Sequence, residues 1–551
     1  MIVKVYQRLA HAFKAEGVSH IFGLMGDGNM YWMHELDKIG VKMLEVRHEG
    51  SGLGMADGWA RVTRTPGVAT ATCGPGVSQL ATALLTASRG ETPLVAFVGE
   101  HPTNDDEYNQ RLDQSRFAAA CETGFVRLNT PDGTDDAVRK AFYLAKLESR
   151  PIMLSAPMDI QQQDFEDDEP YRPSSTIMPS RTVRPDSANI EQAADMIAGS
   201  RKPVIVVGRG AQWSGAGDAV LKLAERVGAL LLTSLMAKNW LSEDEFHLGI
   251  SGTYATRTAM QLCEEADCVI AVGASLNRFT IEQGYLYPNA KFVHIDSKPH
   301  VMMAGGRAAE CYVQSDARAG VEALESLLAK RSFKQTGYRT GEVRERLANA
   351  WEDRTQYQIE PGSVDPREVI LALDEAIPAN INLFTGNGAA AAFSNMLFRR
   401  RRPLVQPGYF FSCIGQMLPA AMGGVVATGN KPAILVDGDA SLMMHLAEFD
   451  TMVRYDMPLL VVVLNNQMLA MEWYKLDALH MNAELSSIPT PDLGAVATGM
   501  GGRGRLVRSI PELRTAVAEW VAKPGPMMID ARIAASVVPL PNRRLHYGLD
   551  E

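Results

Sequence analysis

The sequence predicts an α/β protein made of three doubly wound parallel-sheet domains. Helical and strand patterns alternate along the whole chain, the signature of parallel sheets with crossover helices. Its 551 residues are too many for a single core. Short apolar runs repeatedly end in glycine turns, as at Pro203–Ala211 and Cys268–Gly273. Together these place one domain at residues 1–165, a second at 187–330 and a third at 361–545.

In the first domain, strands are expected near Ile21–Leu24, Lys42–Val46, Val68–Thr72, Leu94–Val98 and Ile152–Ser155. The N-terminal Met1–Lys4 reads as the entry to an amphipathic helix, without the order of a signal peptide. Gln161–Asp186 is polar, acidic and proline-containing, and reads as a linker. The central domain is Rossmann-like, with strands at Pro203–Val207, Cys268–Val272 and Lys291–Asp296. Its Gly208-Arg209-Gly210 turn is explained by the tight turn alone and does not demand FAD or another nucleotide. A charged helical connector, Ala329–Glu360, leads to the third domain, with strands at Asn382–Thr385, Ala433–Asp437, Leu459–Asn465 and Met527–Asp530.

Composition narrows the function. With 46% hydrophobic and 21% charged residues the chain is that of a soluble globular protein. The net charge of −10 is spread along the chain; the one basic run, Arg399–Arg402, reads as a solvated turn rather than a nucleic-acid contact. No apolar stretch reaches membrane-spanning length. The six cysteines form neither a disulfide framework nor a zinc spacing. A cytoplasmic enzyme is expected.

Asp439 and Asn466 lie 27 positions apart, on either side of a helix and a strand. In a parallel sheet that spacing returns the chain to the same carboxyl edge. A carboxylate, an amide oxygen and a nearby backbone carbonyl form a ligand set that suits Mg²⁺ holding a diphosphate. Ala440-Ser441 open the next helix after Gly438, where backbone amides can face phosphate. A capping aspartate and an ordinary strand-end asparagine would explain the same residues. A second site lies in the first domain: Val46-Arg47-His48-Glu49 ends a strand and leads into the glycine- and alanine-rich helix Gly50–Arg61, and Thr72-Cys73-Gly74-Pro75-Gly76 follows another strand.

Together these two segments resemble thiamine-diphosphate (ThDP) enzymes of the acetolactate synthase, pyruvate decarboxylase and benzaldehyde lyase group. The resemblance implies a pyrimidine-binding domain, a central domain and a diphosphate-binding domain, in that order. It makes Glu49 the glutamate that hydrogen-bonds the aminopyrimidine, which generates the nucleophilic carbanion of the thiazolium. Thr72 and Pro75 lie beside it. Asp439, Asn466 and the carbonyl of Met468 become the Mg²⁺ ligands. Gly386, Asn387, Gly388, Gly438, Ala440, Ser441 and Leu469 line the diphosphate, Ser412 accepts from the 4′-amino group, and Ile414 wedges the cofactor into a V. The usual Gly-Asp-Gly reads Gly438-Asp439-Ala440, which matters only if φ must be positive at Ala440.

For the substrate, Asp27 and Glu472 match positions where pyruvate- and indolepyruvate-type decarboxylases carry catalytic acids. Their histidine pair is absent; Asn104–Gln110 stands there, and Gln110 or Gln114 resembles the active-site glutamine of benzaldehyde lyase. Glu472 can equally be a helix-surface residue, and Asp27 a turn residue. Three functions follow: a 2-oxo-acid decarboxylase able to join its product to an aldehyde; an acetolactate-synthase-like carboligase or 2-hydroxyketone lyase; or a non-catalytic ThDP-fold binding protein. The family also implies a homodimer or homotetramer with active sites between subunits.

Overall fold

The computed structural model describes residues 1–179, 182–298, 303, 306–348, 353 and 355–548. The first sheet holds β2 (His20–Gly23), β3 (Lys42–Glu45), β4 (Gly67–Ala71), β5 (Leu94–Glu100), β6 (Gly124–Arg127) and β7 (Pro151–Pro157). All its pairings are parallel, in the order β3-β2-β4-β5-β7-β6. The central sheet, β9 (Pro203–Val207), β10 (Leu230–Thr233), β11 (His247–Ile250), β12 (Cys268–Val272), β13 (Lys291–Asp296) and β14 (Cys311–Gln314), runs β11-β10-β9-β12-β13-β14. The third sheet, β15 (Asn382–Thr385), β16 (Val405–Pro407), β17 (Ala433–Gly438), β18 (Leu459–Asn465), β19 (Arg503–Val507) and β20 (Met527–Arg532), runs β16-β15-β17-β18-β20-β19.

The first and third sheets therefore share one strand order, although their sequences show no clean repeat. The central sheet has the two-halved order of dinucleotide-binding folds. In β17 and β18 the apolar residues are buried on both faces, as strands covered by helices on either side must be.

Two expectations are corrected at the edges of the first domain. Residues Ile2–Lys4 form a strand, β1, before the helix Val5–Ala15, and pair antiparallel with β8 (Asp164–Glu166). The stretch expected to be a plain linker is thus partly a strap. Arg8 donates to Asp135 and Asp167, and the buried Glu16 carboxylate accepts from Tyr171 Oη, Ser174 N and Ser174 Oγ. The basic run is a solvated turn only in part: Arg399 and Arg401 are exposed. Arg402 is buried against Asp374, Arg400 reaches the Ile377 carbonyl, and Arg401 pairs with Glu243. Among the described residues no helix is long and apolar enough to cross a membrane.

Six helices position the site: α1 (Glu49–Thr63), α2 (Gly388–Leu397), α3 (Met417–Ala427), α4 (Asp439–Met444), α5 (Glu448–Arg454) and α6 (Ala470–Ala478). Helices α1 and α3 join the first and third domains within one chain. A Cβ on Gly58 would fall 1.9 Å from the carbonyl oxygen of Ala420, and one on Gly423 1.9 Å from that of Met55. Backbone thus packs on backbone, and one apolar cluster runs from Leu53 and Met55 to Leu418 and Met422.

Candidate active site

In open parallel sheets ligands bind beyond the carboxyl ends of strands, where the strand order reverses. In the first sheet that point lies between β2 and β4. The loop after β2 carries Asp27, and the turn after β4 carries Thr72 and Pro75. Thr72 Oγ1 accepts from Gly28 N at 3.2 Å, so the two loops are stitched together. Asn29 donates to Leu24 O and Thr70 Oγ1, and Gln161 donates to Gly28 O, making the Asp27 loop rigid. Glu49 opens α1 beside them. Its Oε1 lies 3.5 Å from where a Cβ on Gly76 would stand. Half-buried, its carboxylate makes no hydrogen bond among the described residues. His48 caps α1 by accepting from Gly50 N.

Asp27 is exposed and lines a cavity of about 480 Å³ with Tyr31, Tyr108, Asn104, Asp159 and Gln162. Burial, with Cys73 and Asp27 nearby, pushes the Tyr108 phenol above its usual range. Gln110 Oε1 accepts from the Cys73 thiol at 3.1 Å. Gln114 is placed differently: it is buried, donates to Gly99 O at 2.6 Å, and its Oε1 has no partner.

In the third sheet the order reverses between β15 and β17. The loop after β15 holds Gly386, Asn387 and Gly388; Asn387 stands just before α2, and its side chain donates to Cys413 O instead of capping the helix. The end of β17 holds Asp437, Gly438 and Asp439, and Gly438 pairs with Leu464, so Asn465 and Asn466 leave the same edge. Asp437 is fully buried, and its carboxyl is pushed up to about 7 by burial. It accepts from Gly438 N and Ser441 Oγ, and Ser441 Oγ in turn accepts from Gly415 N at 2.8 Å. Asp439 is 3% exposed, its Oδ2 has no partner, and burial raises its pKa to about 6. Ala440 lies within α4, so no positive φ is required there.

The Asn466–Leu469 loop turns through Gln467 at φ 60° and is pinned by the segment 486–488: Leu469 N donates to Ser486 O, Ile488 N donates to Gln467 O, and Met468 bridges Ser487. Asn465, overlooked in the sequence, anchors this loop by donating to Thr490 Oγ1 and Asp530 Oδ1 and accepting from Gln467 N. Phe411 and Ser412 both have positive φ (60° and 52°), a strained backbone of the kind found at functional sites. Ile414 beside them is half-buried. Glu472 lies in the first turn of α6, exposed and 3.7 Å from Lys475 Nζ.

The surroundings of Asp439 fit a hard cation: a buried carboxylate oxygen has no partner among the described residues, and the turned Asn466–Leu469 backbone leaves the neighbouring strand at the same edge. No group of three or more His, Cys, Asp or Glu side chains that could hold a metal ion occurs among the described residues. In the central domain the amides of Gly208 and Gly210 donate to Val272 O and Gly273 O, so neither is free to face a phosphate.

Family models of the thiamine pyrophosphate enzymes match in three places: the N-terminal TPP binding domain at residues 3–117, the central domain at 190–324 and the C-terminal TPP binding domain at 385–531. The chain is 29% identical over 544 residues to the acetolactate synthase large subunit of Parasynechococcus marenigrum, covering 95% of this chain and 86% of that protein. It is 28% identical over 541 residues to the acetolactate synthase isozyme 2 large subunit of Escherichia coli K12, covering 96% and 95%. It is 27% identical over 545 residues to a probable acetolactate synthase large subunit of Methanocaldococcus jannaschii, covering 96% and 91%. With all three domain models in order and near-complete alignment to these relatives, the chain belongs to the thiamine pyrophosphate enzymes.

Proposed function

We propose that this protein is a ThDP- and Mg²⁺-dependent enzyme that decarboxylates a 2-oxo acid and can couple the product to an aldehyde. The observation that carries the cofactor assignment is the partnerless, buried Asp439 Oδ2 at the switch point of the third sheet. Asp439, the Asn466 side chain and the Met468 carbonyl hold Mg²⁺, and the backbone of Gly386, Asn387, Gly388, Gly438, Ala440, Ser441 and Leu469 surrounds the diphosphate. When bound, ThDP supplies a carbanion nucleophile and an electron sink. Glu49, free of other partners, is left to hydrogen-bond the aminopyrimidine with Thr72 and Pro75 alongside, while Ser412 and Ile414 support it from the third domain. Asp27 and Glu472 hold and move the substrate proton, and Gln110 orients the substrate.

The two halves belong to different subunits in this reading. Phe411, Met443, Met444, Leu485 and Ile488 of the diphosphate-binding domain are exposed, and a homodimer or homotetramer covers them.

The named relatives favour a second reading, an acetolactate-synthase-like carboligase. Product analysis with pyruvate, with and without an aldehyde acceptor, separates the two. Carbon dioxide with free aldehyde supports the decarboxylase; coupled hydroxyketone without free aldehyde supports the carboligase. No carbon dioxide from a panel of 2-oxo acids with ThDP and Mg²⁺ present overturns both.

A further inference from the structure

Among the described residues Glu49 has no side-chain partner, so its position is set by the backbone that leads into α1. β3 stops at Glu45, and the amides of Arg47 and His48 lie beyond the sheet. Both donate to one carboxylate, that of Glu448, at 3.0 Å each. Glu448 is the first residue of α5 in the third domain, 1% exposed, and its Oε2 also accepts from Thr451 Oγ1 at 2.7 Å. Nearby, His445 Nδ1 lies 3.0 Å from Ser51 Oγ, and Gln416 Nε2 lies 3.2 Å from His445 Nε2. The third domain thus grips the two residues before Glu49 and the second residue after it.

We propose that Glu448 is a positioning residue for Glu49: by accepting the Arg47 and His48 amides it fixes the turn that aims the Glu49 carboxylate at the cofactor. A carboxylate is the side chain suited to this, because it accepts at both oxygens and offers no proton to compete with two facing N–H donors. Both amides reach Oε1, so a glutamine keeps an oxygen for them and gives up only the 3.2 Å branch from Arg47 N to Oε2, whereas an alanine removes every contact. Because α5 follows α4 in the same segment, Glu448 also ties the aim of Glu49 to the segment that carries Asp439 of the same chain.

The inference rests on the role given to Glu49 above, and two substrate-independent readouts separate the two claims. One is hydrogen–deuterium exchange at C2 of bound ThDP, by acid quench and proton NMR. The other is the circular-dichroism band of the imino tautomer of the bound aminopyrimidine. Glu448→Ala is expected to slow exchange at least tenfold and shrink the band, while the Kd for ThDP with Mg²⁺, from tryptophan fluorescence, stays within threefold; Glu448→Gln, which keeps an oxygen for both amides, is expected to retain most of both signals. Asp450→Asn removes the neighbouring surface pair with Arg47 but no amide contact, and is expected to change neither readout. If Glu49→Gln loses exchange and band while Glu448→Ala keeps both, the inference fails and the Glu49 assignment stands. If Glu49→Gln itself keeps both, the Glu49 assignment fails. Should Glu448→Ala not fold, Glu448→Met, which keeps the length of the side chain but offers the two amides no oxygen, decides alone.

Discussion

A Cβ on Gly386 would fall 1.8 Å from Oδ1 of Asp437, so the loop after β15 and the end of β17 are in contact at the point where phosphate binding is proposed. Asp437 in turn holds Ser441, and Ser441 holds Gly415. Gly386→Ala is therefore expected to displace the Asp437 carboxylate at a strain of about 1–3 kcal/mol. Titration calorimetry should show the Kd for ThDP with Mg²⁺ raised at least tenfold, with the apo fold retained by far-UV circular dichroism.

Active sites shared between subunits make a quantitative claim. Glu49→Ala and Asp439→Ala homodimers should each be nearly inactive. Mixed and reassembled at equal amounts, half of the dimers are hybrids with one intact site of two, giving about one quarter of wild-type activity. Sites contained within one chain would give no recovery on mixing.

The walls of the cavity beside Asp27 include two aspartates, Asp27 and Asp159, and no lysine, arginine or histidine. A substrate with a second carboxylate would meet like charge at close range. Pyruvate or a neutral longer 2-oxo acid is expected to exceed 2-oxoglutarate in kcat/KM by at least tenfold, and Asp27→Asn should narrow the gap while lowering turnover. A preference for 2-oxoglutarate would refute this reading of the cavity.

His445, between Ser51, Gln416 and the His48 ring, has its pKa lowered to about 4 by burial and by His48. Its folded pKa lies below that of the unfolded chain, so the unfolded state takes up the proton first. Its contribution to stability is fully present above about pH 6.5 and is lost as pH falls toward about 4. The loss is on the order of 2 kcal/mol once partial exposure is allowed for. Urea-unfolding midpoints should fall across this window, and His445→Asn should flatten that slope.

The sheets were legible because strands buried on both faces are uniformly apolar and end in glycine turns. Glu49 and Asp439 stand out in the sequence as candidates because each follows a strand in a recognisable segment, and in the structure each is the first residue of a helix. Other features carry no local signal. β1 is three residues long and its partner lies at Asp164–Glu166. Glu448 looks like any acidic residue in the first turn of a helix, and only tertiary structure brings the Arg47 and His48 amides to it. Arg402 sits in a run that reads as solvated, yet Asp374 draws it inside. Ala440, the one irregular letter in the segment proposed to hold the metal, proves undemanding because its backbone is helical.

The backbone contact between α1 and α3 also bears on how the chain is made. When residues 49–63 leave the ribosome, residues 417–427 do not yet exist, and at about 5–20 residues per second the gap is on the order of half a minute. Throughout that time the Gly54–Gly58 face of α1, shaped to receive another backbone, has no partner from its own chain. Nascent chains are thus most exposed to mispairing, and most dependent on chaperones, along the surface that later unites the two cofactor-binding domains.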